Sequence, residues 1–318
     1  MSKQNYEPKP LFLERMKKLL GEDFDDYMKI LKIPILNSIR CNTLKISQKD
    51  LKKRLENKGW KINIPFQEYP EIMVIENQLM PGELGRSIEH LLGYYYVQEI
   101  ASMLPPLVLK PNEKERVLDL CASPGSKTTQ IASLMKNEGL LIANEVSFGR
   151  MKILAGNLER CGVMNCILTR KDGVALCKRF KKENFLFDKI LLDAPCSGEG
   201  TIRSTPRTLE MWNIKSIEFL SKLQKSLIAS AIDSLKPDGI LVYSTCTHAP
   251  EEDEEVLDFA LKNFNVKIEK IELPLKTSEG ITEWQGKKYS EQVKLAHRIY
   301  PHLSNTEGFF IAKLRKIK

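Results

Sequence analysis

The sequence predicts an α/β fold, a doubly wound and mostly parallel sheet preceded by a smaller α/β domain. Between residues 116 and 244, five short runs rich in leucine, isoleucine and valine alternate with helical stretches, the rhythm of a parallel sheet covered on both faces. The first run is followed at once by the turn Pro124-Gly125 and a helical pattern, as in the opening unit of such a sheet. Carboxylates then end three consecutive runs, at Glu145, Asp172 and Asp193.

The elements follow in order. Residues 11–20 and 24–31 carry short helical patterns, 38–44 reads as a strand, 48–57 as a charged helix, and 60–64 and 71–75 as apolar-rich segments. These make the expected N-terminal domain, residues 1–100, with a boundary somewhere between 82 and 111. Residues 101–318 form the second domain. Its strands are expected at 116–120, 140–143, 166–169, 189–192 and 239–244, with a helix at 128–135 presenting Ile131, Leu134 and Met135 to the core. A long helix at 251–263, a strand near 266–273 and a last strand at 308–314 complete it.

Lysine and arginine exceed aspartate and glutamate by 49 to 41, a net charge of +8 that favours a polyanionic partner. The excess recurs in Lys178-Arg-Phe-Lys-Lys182 and Arg315-Lys-Ile-Lys318. Seven cysteines without regular spacing, and no Cys-x-x-Cys, argue against a disulfide framework and a structural zinc; no metal is expected. No apolar run approaches the roughly 20 residues of a membrane span and no leader is evident, so a soluble, cytoplasmic chain without a membrane partner is expected.

The turn itself, LDLCASPGSKTTQ, resembles a phosphate loop but fails as one. Ser126 separates Gly125 from Lys127, and Leu120 stands where the first glycine should be. No Gly-x-Gly-x-x-Gly is present for a dinucleotide pyrophosphate. A carboxylate about 20 residues past the turn is placed for ribose hydroxyls, the role of Glu145, and Asp172 is placed for an exocyclic amine. Each could instead be a helix N-cap. The three together, behind a glycine turn, point to a nucleoside bearing a sulfonium, S-adenosyl-L-methionine.

Two cysteines follow the fourth and fifth strands, in Asp193-Ala-Pro-Cys-Ser-Gly198 and Ser244-Thr-Cys-Thr247, so both are expected at the ligand-binding edge of the sheet. Cys196 and Cys246 are the candidate reactive thiols. Cys41, Cys161, Cys166 and Cys177 read as small core residues.

Asp119-Leu-Cys-Ala-Ser-Pro-Gly-Ser-Lys-Thr128 together with the two cysteine segments closely resembles the signatures of the NOL/NOP/Sun RNA (cytosine-5) methyltransferases. The resemblance continues in Tyr96-Val-Gln-Glu-Ile-Ala-Ser102, in Gly198-Glu-Gly-Thr-Ile-Arg203 and from Pro301-His302 to Phe310. It implies a Rossmann-like S-adenosylmethionine-dependent methyltransferase sheet. It further implies that Cys121, Ala122, Ser123, Pro124, Gly125, Ser126 and Lys127 hold the methionine part of the cofactor. Glu145, with Arg150 nearby, would take the ribose, and Asp172 the adenine. Glutamate at the ribose position departs from the aspartate more usual in the family.

In the implied chemistry a thiolate adds to C6 of cytosine, C5 takes the methyl, and loss of the C5 proton with elimination of sulfur restores the ring. By resemblance Cys246 attacks, Cys196 assists release, Asp193 contacts the N3 and N4 edge of the base, and Lys127 shares that pocket. A DNA-enzyme reading would nominate Cys196 as the attacker, but no large target-recognition insertion is evident. A helix opening near Pro250 would favour a thiolate at Cys246, and the acidic run Glu251-Glu-Asp-Glu-Glu255 would oppose it. The expected substrate is tRNA, because the chain ends soon after the last strand; an rRNA (cytosine-5) methyltransferase and a catalytically silent RNA-binding assembly factor are the alternatives.

Overall fold

The computed structural model describes residues 7–318. Strands β1 (Asn37–Cys41), β2 (Ile62–Asn63), β3 (Ile72–Ile75) and β4 (Tyr95–Val97) form an antiparallel sheet in the order β2-β3-β1-β4. Its core packs Ile39, Met73, Ile75 and Tyr95 against Leu51 and Leu55 of the helix Gln48–Glu56, which Ser47 caps at the Asp50 N–H. The two leading helices, Pro10–Leu20 and Phe24–Ile30, contribute nothing to that core. Their Phe12, Met16 and Tyr27 pack on Ile202, Leu209, Trp212 and Ala249 of the second half of the chain, and Arg15 makes a paired contact with Glu251, 2.7 Å at the shorter bond.

The second sheet holds β5 (Arg116–Asp119), β6 (Leu140–Asn144), β7 (Cys166–Thr169), β8 (Phe187–Asp193) and β9 (Leu235–Thr245), all mutually parallel. Buried on both faces, β5, β8 and β9 read as continuous apolar runs. Strands β10 (Val266–Glu269) and β11 (Ser278–Glu279) come next, then the small separate hairpin of β12 (Glu283–Trp284) and β13 (Lys287–Lys288), then β14 (His297–Ile299) and β15 (Phe309–Lys316). The sheet runs β11-β14-β15-β9-β8-β5-β6-β7, so β15 joins antiparallel beside β9, and β10 pairs with β15 as well. From β5 the chain moves outward to β6 and β7, then returns to β8 and β9 on the other side. The crevice between the ends of β5 and β8 is therefore the switch point where ligands bind in such sheets.

The two sheets are joined through buried polar contacts. Arg40 on β1 is 1% exposed and reaches the helix Ser126–Leu134, bonding the Ser126 carbonyl at 2.6 Å and the Thr129 hydroxyl at 2.7 Å. Asn42 donates to the Cys161 carbonyl at 2.8 Å, and a Cβ on Gly93 would lie 1.9 Å from the Arg160 carbonyl oxygen.

The basic C-terminal run is tied into the sheet edge. Arg315 pairs with Glu269 and Lys318 with Asp238, while the Lys316 ammonium donates to the carbonyls of Ile232 and Leu235. Of the run at 178–182, Lys181 faces Asp233 and Arg179 faces Glu183. The helix expected from 251 opens instead at Glu254, after a turn, so its N-terminal dipole is not aimed from Pro250.

Candidate active site

The ends of the five parallel strands surround two adjoining cavities. The larger, about 430 Å³, is lined by Cys121 and Ser123 after β5, Glu145 and Arg150 after β6, Asp172 after β7, Asp193 to Cys196 after β8, and Cys246 after β9. The smaller, about 290 Å³, lies between Tyr96, Gln98, Glu99 and Ser102 on one side and residues 121–124, Ser126 and Lys127 on the other. Cys121, Ser123 and Asp193 border both.

The turn after β5 owes its shape to Gly125, whose φ of 104° disfavours any side chain and whose absent Cβ leaves room for Leu154, 2.9 Å from where it would stand. Ser123 accepts from Arg150 through its carbonyl at 2.8 Å and donates its hydroxyl to the Arg150 carbonyl at 3.0 Å. Glu145 is buried; one oxygen accepts from the Ser147 N–H at 2.8 Å and the other faces Arg150 at 3.5 Å. Asp172 is exposed and does cap a helix, accepting from the Ala175 N–H at 2.9 Å, while still lining the larger cavity. The cap leaves its side chain at the cavity wall.

Asp193 is held from two sides. The Lys127 ammonium donates to one of its oxygens at 2.7 Å and the Ser244 hydroxyl to the other at 2.7 Å. Lys127 also donates to the Ser102 hydroxyl at 2.9 Å. Cys196 and Cys246 are free thiols whose sulfur atoms lie 3.1 Å apart, and the Cys246 N–H points at the Cys196 sulfur from 3.3 Å. The contact with the Cys246 sulfur, together with burial, pushes the Cys196 thiol well above its ordinary range. The Cys246 carbonyl is fixed by the Gly200 N–H at 2.9 Å, and Gly200 in turn accepts from Gly308 on the approach to β15.

The acidic run after Cys246 is sorted residue by residue. Glu251 faces Arg15, Asp253 and Glu254 face the buried Arg298, and Glu255 faces Lys225 and Lys287. Two of the acids also reach the cysteine segments: Glu252 accepts from the Ser197 N–H at 3.0 Å and from Gln224 at 2.8 Å, beside Cys196, and Asp253 accepts from the Thr245 hydroxyl at 2.6 Å, beside Cys246. Burial raises the Glu252 carboxyl to about 7.

Every residue assigned to the site from sequence borders one of the two cavities except Gly125, which shapes their shared turn. Reasoning from sequence gave no role to Asp119, Tyr96, Gln98, Glu99 or Ser102. Asp119 is buried, accepts from the Thr128 hydroxyl at 2.7 Å, and leaves its other oxygen without a partner among the described residues. Glu99 caps the helix Ile100–Leu109 and also accepts from the Glu307 N–H at 3.1 Å. The available signal was the segment Tyr96–Ser102 itself, whose polar positions precede a strongly apolar helix. Among the described residues, no group of three or more histidines, cysteines or carboxylates is placed to hold a metal.

The family described as 16S rRNA methyltransferase RsmB/F matches residues 106–315, and the N-terminal domain of 16S rRNA methyltransferase RsmF matches residues 9–100. The tRNA (cytosine(49)-C(5))-methyltransferase of Pyrococcus abyssi is 45% identical, over 96% of this chain and 95% of its own. The ribosomal RNA small subunit methyltransferase F of Vibrio parahaemolyticus is 40% identical over 96% of this chain, which spans 62% of that protein. The crystal structure of NSun6 from Pyrococcus horikoshii with SFG superimposes with a TM-score of 0.82 at 28% identity, covering 98% of each chain. Paired cysteines at adjacent strand ends, a glycine turn behind them and near full-length likeness to these enzymes agree: the chain belongs to the RsmB/F family of NOL/NOP/Sun RNA (cytosine-5) methyltransferases.

Proposed function

We infer that this protein transfers a methyl group from S-adenosyl-L-methionine to C5 of a cytosine in tRNA. The observation that carries the reading is the pair of thiols in contact on the wall of a cavity that carboxylates suited to a nucleoside also line. The residues present fit that cofactor. Glu145 and Asp172 offer acceptors for ribose hydroxyls and an adenine amine, the turn from Cys121 to Lys127 borders the cleft junction, and the unpaired Asp119 oxygen awaits a donor. When bound, the cofactor supplies an electrophilic methyl carried on sulfonium.

The chain's own residues do the rest. Cys246 as thiolate bonds to C6 of the cytosine, which places electron density at C5 for methylation. Asp193, steadied by Lys127 and Ser244, meets the N3 and N4 edge and favours the protonated adduct. A water or other base takes the C5 proton, the C5–H electron pair forms the C5–C6 double bond as the C6–S bond breaks, and the sulfur returns to Cys246 as thiolate, with Cys196 assisting release from its place beside it. The cytosine must be turned out of any stack to expose C6. Residues 1–100, with the net positive charge, are the expected hold on the RNA.

Likeness along 95% of the archaeal tRNA enzyme favours tRNA. An rRNA cytosine is the second reading, supported by the rRNA enzymes among the relatives. The test is adduct trapping. Cys246→Ala should abolish turnover and form no covalent RNA adduct, whereas Cys196→Ala should methylate and stall as a slow-migrating band in denaturing electrophoresis. The reverse pattern would make Cys196 the attacker, and adducts in neither variant would leave the silent assembly factor as the better reading.

A further inference from the structure

Two thiols 3.1 Å apart cannot both ionise without strong mutual repulsion, so something must decide which of them keeps its proton. We propose that Glu252 is a positioning residue that holds the turn of residues 195–197 and keeps the proton on Cys196, leaving Cys246 free to act as the nucleophile. This rests on the reading in which Cys246 attacks.

The geometry is one-sided. Glu252 accepts from the N–H of Ser197, the residue after Cys196, and from the Gln224 amide, which also donates to the carbonyl of Pro195, the residue before it, at 2.8 Å. Both neighbours of Cys196 are thereby bound to one buried carboxylate–amide pair, whereas the flank of Cys246 is held by a different acid, Asp253, which accepts from the Thr245 hydroxyl at 2.6 Å and faces the Arg298 guanidinium. Glu252 and Gln224 are both fully buried.

No cation answers this carboxylate among the described residues, because those near the acidic run, Arg15, Arg298, Lys225 and Lys287, are engaged by the other four acids. The titratable groups acting on Cys196 are the Cys246 thiol and Glu252, with the Tyr243 phenol also within electrostatic reach. Above neutral pH Glu252 is ionised, and an anion bonded to the next residue's amide opposes a second one on Cys196. The Cys246 N–H at 3.3 Å pulls the other way, but a single neutral donor is weaker than a full buried charge.

The test reads the ionisation of Cys196 directly. In a full-length Cys246→Ala protein, which removes the sulfur contact, alkylation of Cys196 by iodoacetamide is followed across pH by mass spectrometry. Glu252→Gln keeps the contour and an oxygen able to accept from Ser197 and Gln224, but removes the charge. The midpoint should fall by about one pH unit or more, and Glu252→Asp should hold it high. An unchanged midpoint in Glu252→Gln would overturn the proposal. So would a midpoint at or below the ordinary value of about 8.5 with Glu252 intact, a measurement that needs no substitution at position 252. Alkylation depends on neither RNA nor turnover, so failure of the attack assignment would show separately, as an RNA adduct in Cys246→Ala.

Discussion

Replacing Asp119 by asparagine should make the protein more stable above neutral pH and remove part of its pH dependence. Asp119 closes β5 at 1% exposure, and burial raises its carboxyl from an ordinary value near 3.8 to about 7, against the opposing hydrogen bond from Thr128. The unfolded chain loses that proton near pH 4 while the folded chain keeps it until about 7. Stability therefore falls as pH rises through this window and levels off above it. At about 1.4 kcal/mol per pH unit, the ionised carboxylate costs the fold about 4 kcal/mol at pH 8. The side-chain amide introduced by Asp119→Asn would keep an oxygen for Thr128 without that cost. Urea unfolding of both proteins at half-unit steps from pH 4.5 to 8.5 checks this: the difference should grow with pH and then plateau. Burial also raises Glu99 and Glu252 to about 7, so the wild type will keep a slope of its own, and only the difference between the two proteins is diagnostic. A difference that stays constant across the range would refute the reasoning.

Glu145→Ala and Asp172→Ala should each weaken S-adenosylmethionine binding by about 1 to 3 kcal/mol, the cost of leaving a polar partner unmet, as read by calorimetry. Unchanged affinity in both would move the nucleoside elsewhere. RNA affinity should fall steeply with salt; for about four neutralised phosphates on a single strand, raising salt from 50 to 200 mM should cost roughly 50-fold. A flat response would remove the electrostatic part of RNA recognition. Gly308→Ala should destabilise the fold by about 2 to 4 kcal/mol and depress turnover, because a Cβ there would lie 2.2 Å from the His248 ring and displace the Gly200 contact that fixes the Cys246 carbonyl. Thermal melts and a methyl-transfer assay measure the two effects.

The parallel strands were legible because β5, β8 and β9 are buried on both faces and so leave uninterrupted apolar runs, each closed by the carboxylate or cysteine that the sheet delivers to its edge. The helix Ile100–Leu109 was not, since Pro105 and Pro106 within it argue locally against a helix and tertiary burial overrides them. The insertion of β15 between β9 and β14 could not be read from local pattern either; pairing partners far apart in sequence leave no periodic trace. The acidic run at 251–255 is the clearest case at the site. In sequence it reads as one block of repulsion, yet its effect depends on Arg15, Arg298 and Lys225, none of which is near it along the chain. Asp119 opens the signature segment, but its burial and its unpartnered oxygen depend on the packing around the end of β5 and leave no mark in the sequence.

The Arg40 contact between the sheets bears on how a substrate enters. A fully buried guanidinium that bonds the first carbonyl of the helix Ser126–Leu134, and is itself held by Gln98 beside the smaller cavity, leaves little freedom for the two halves to swing about a hinge. Opening there would give up the Arg40 contacts with Gln98, Ser126, Thr129 and Gln130 together. A cleft tied in this way is expected to change little in width, so that the nucleic acid must supply the deformation. A nucleotide that is already unstacked should enter readily, whereas one locked in a duplex must first be everted, so local melting of the RNA becomes the gate for this enzyme.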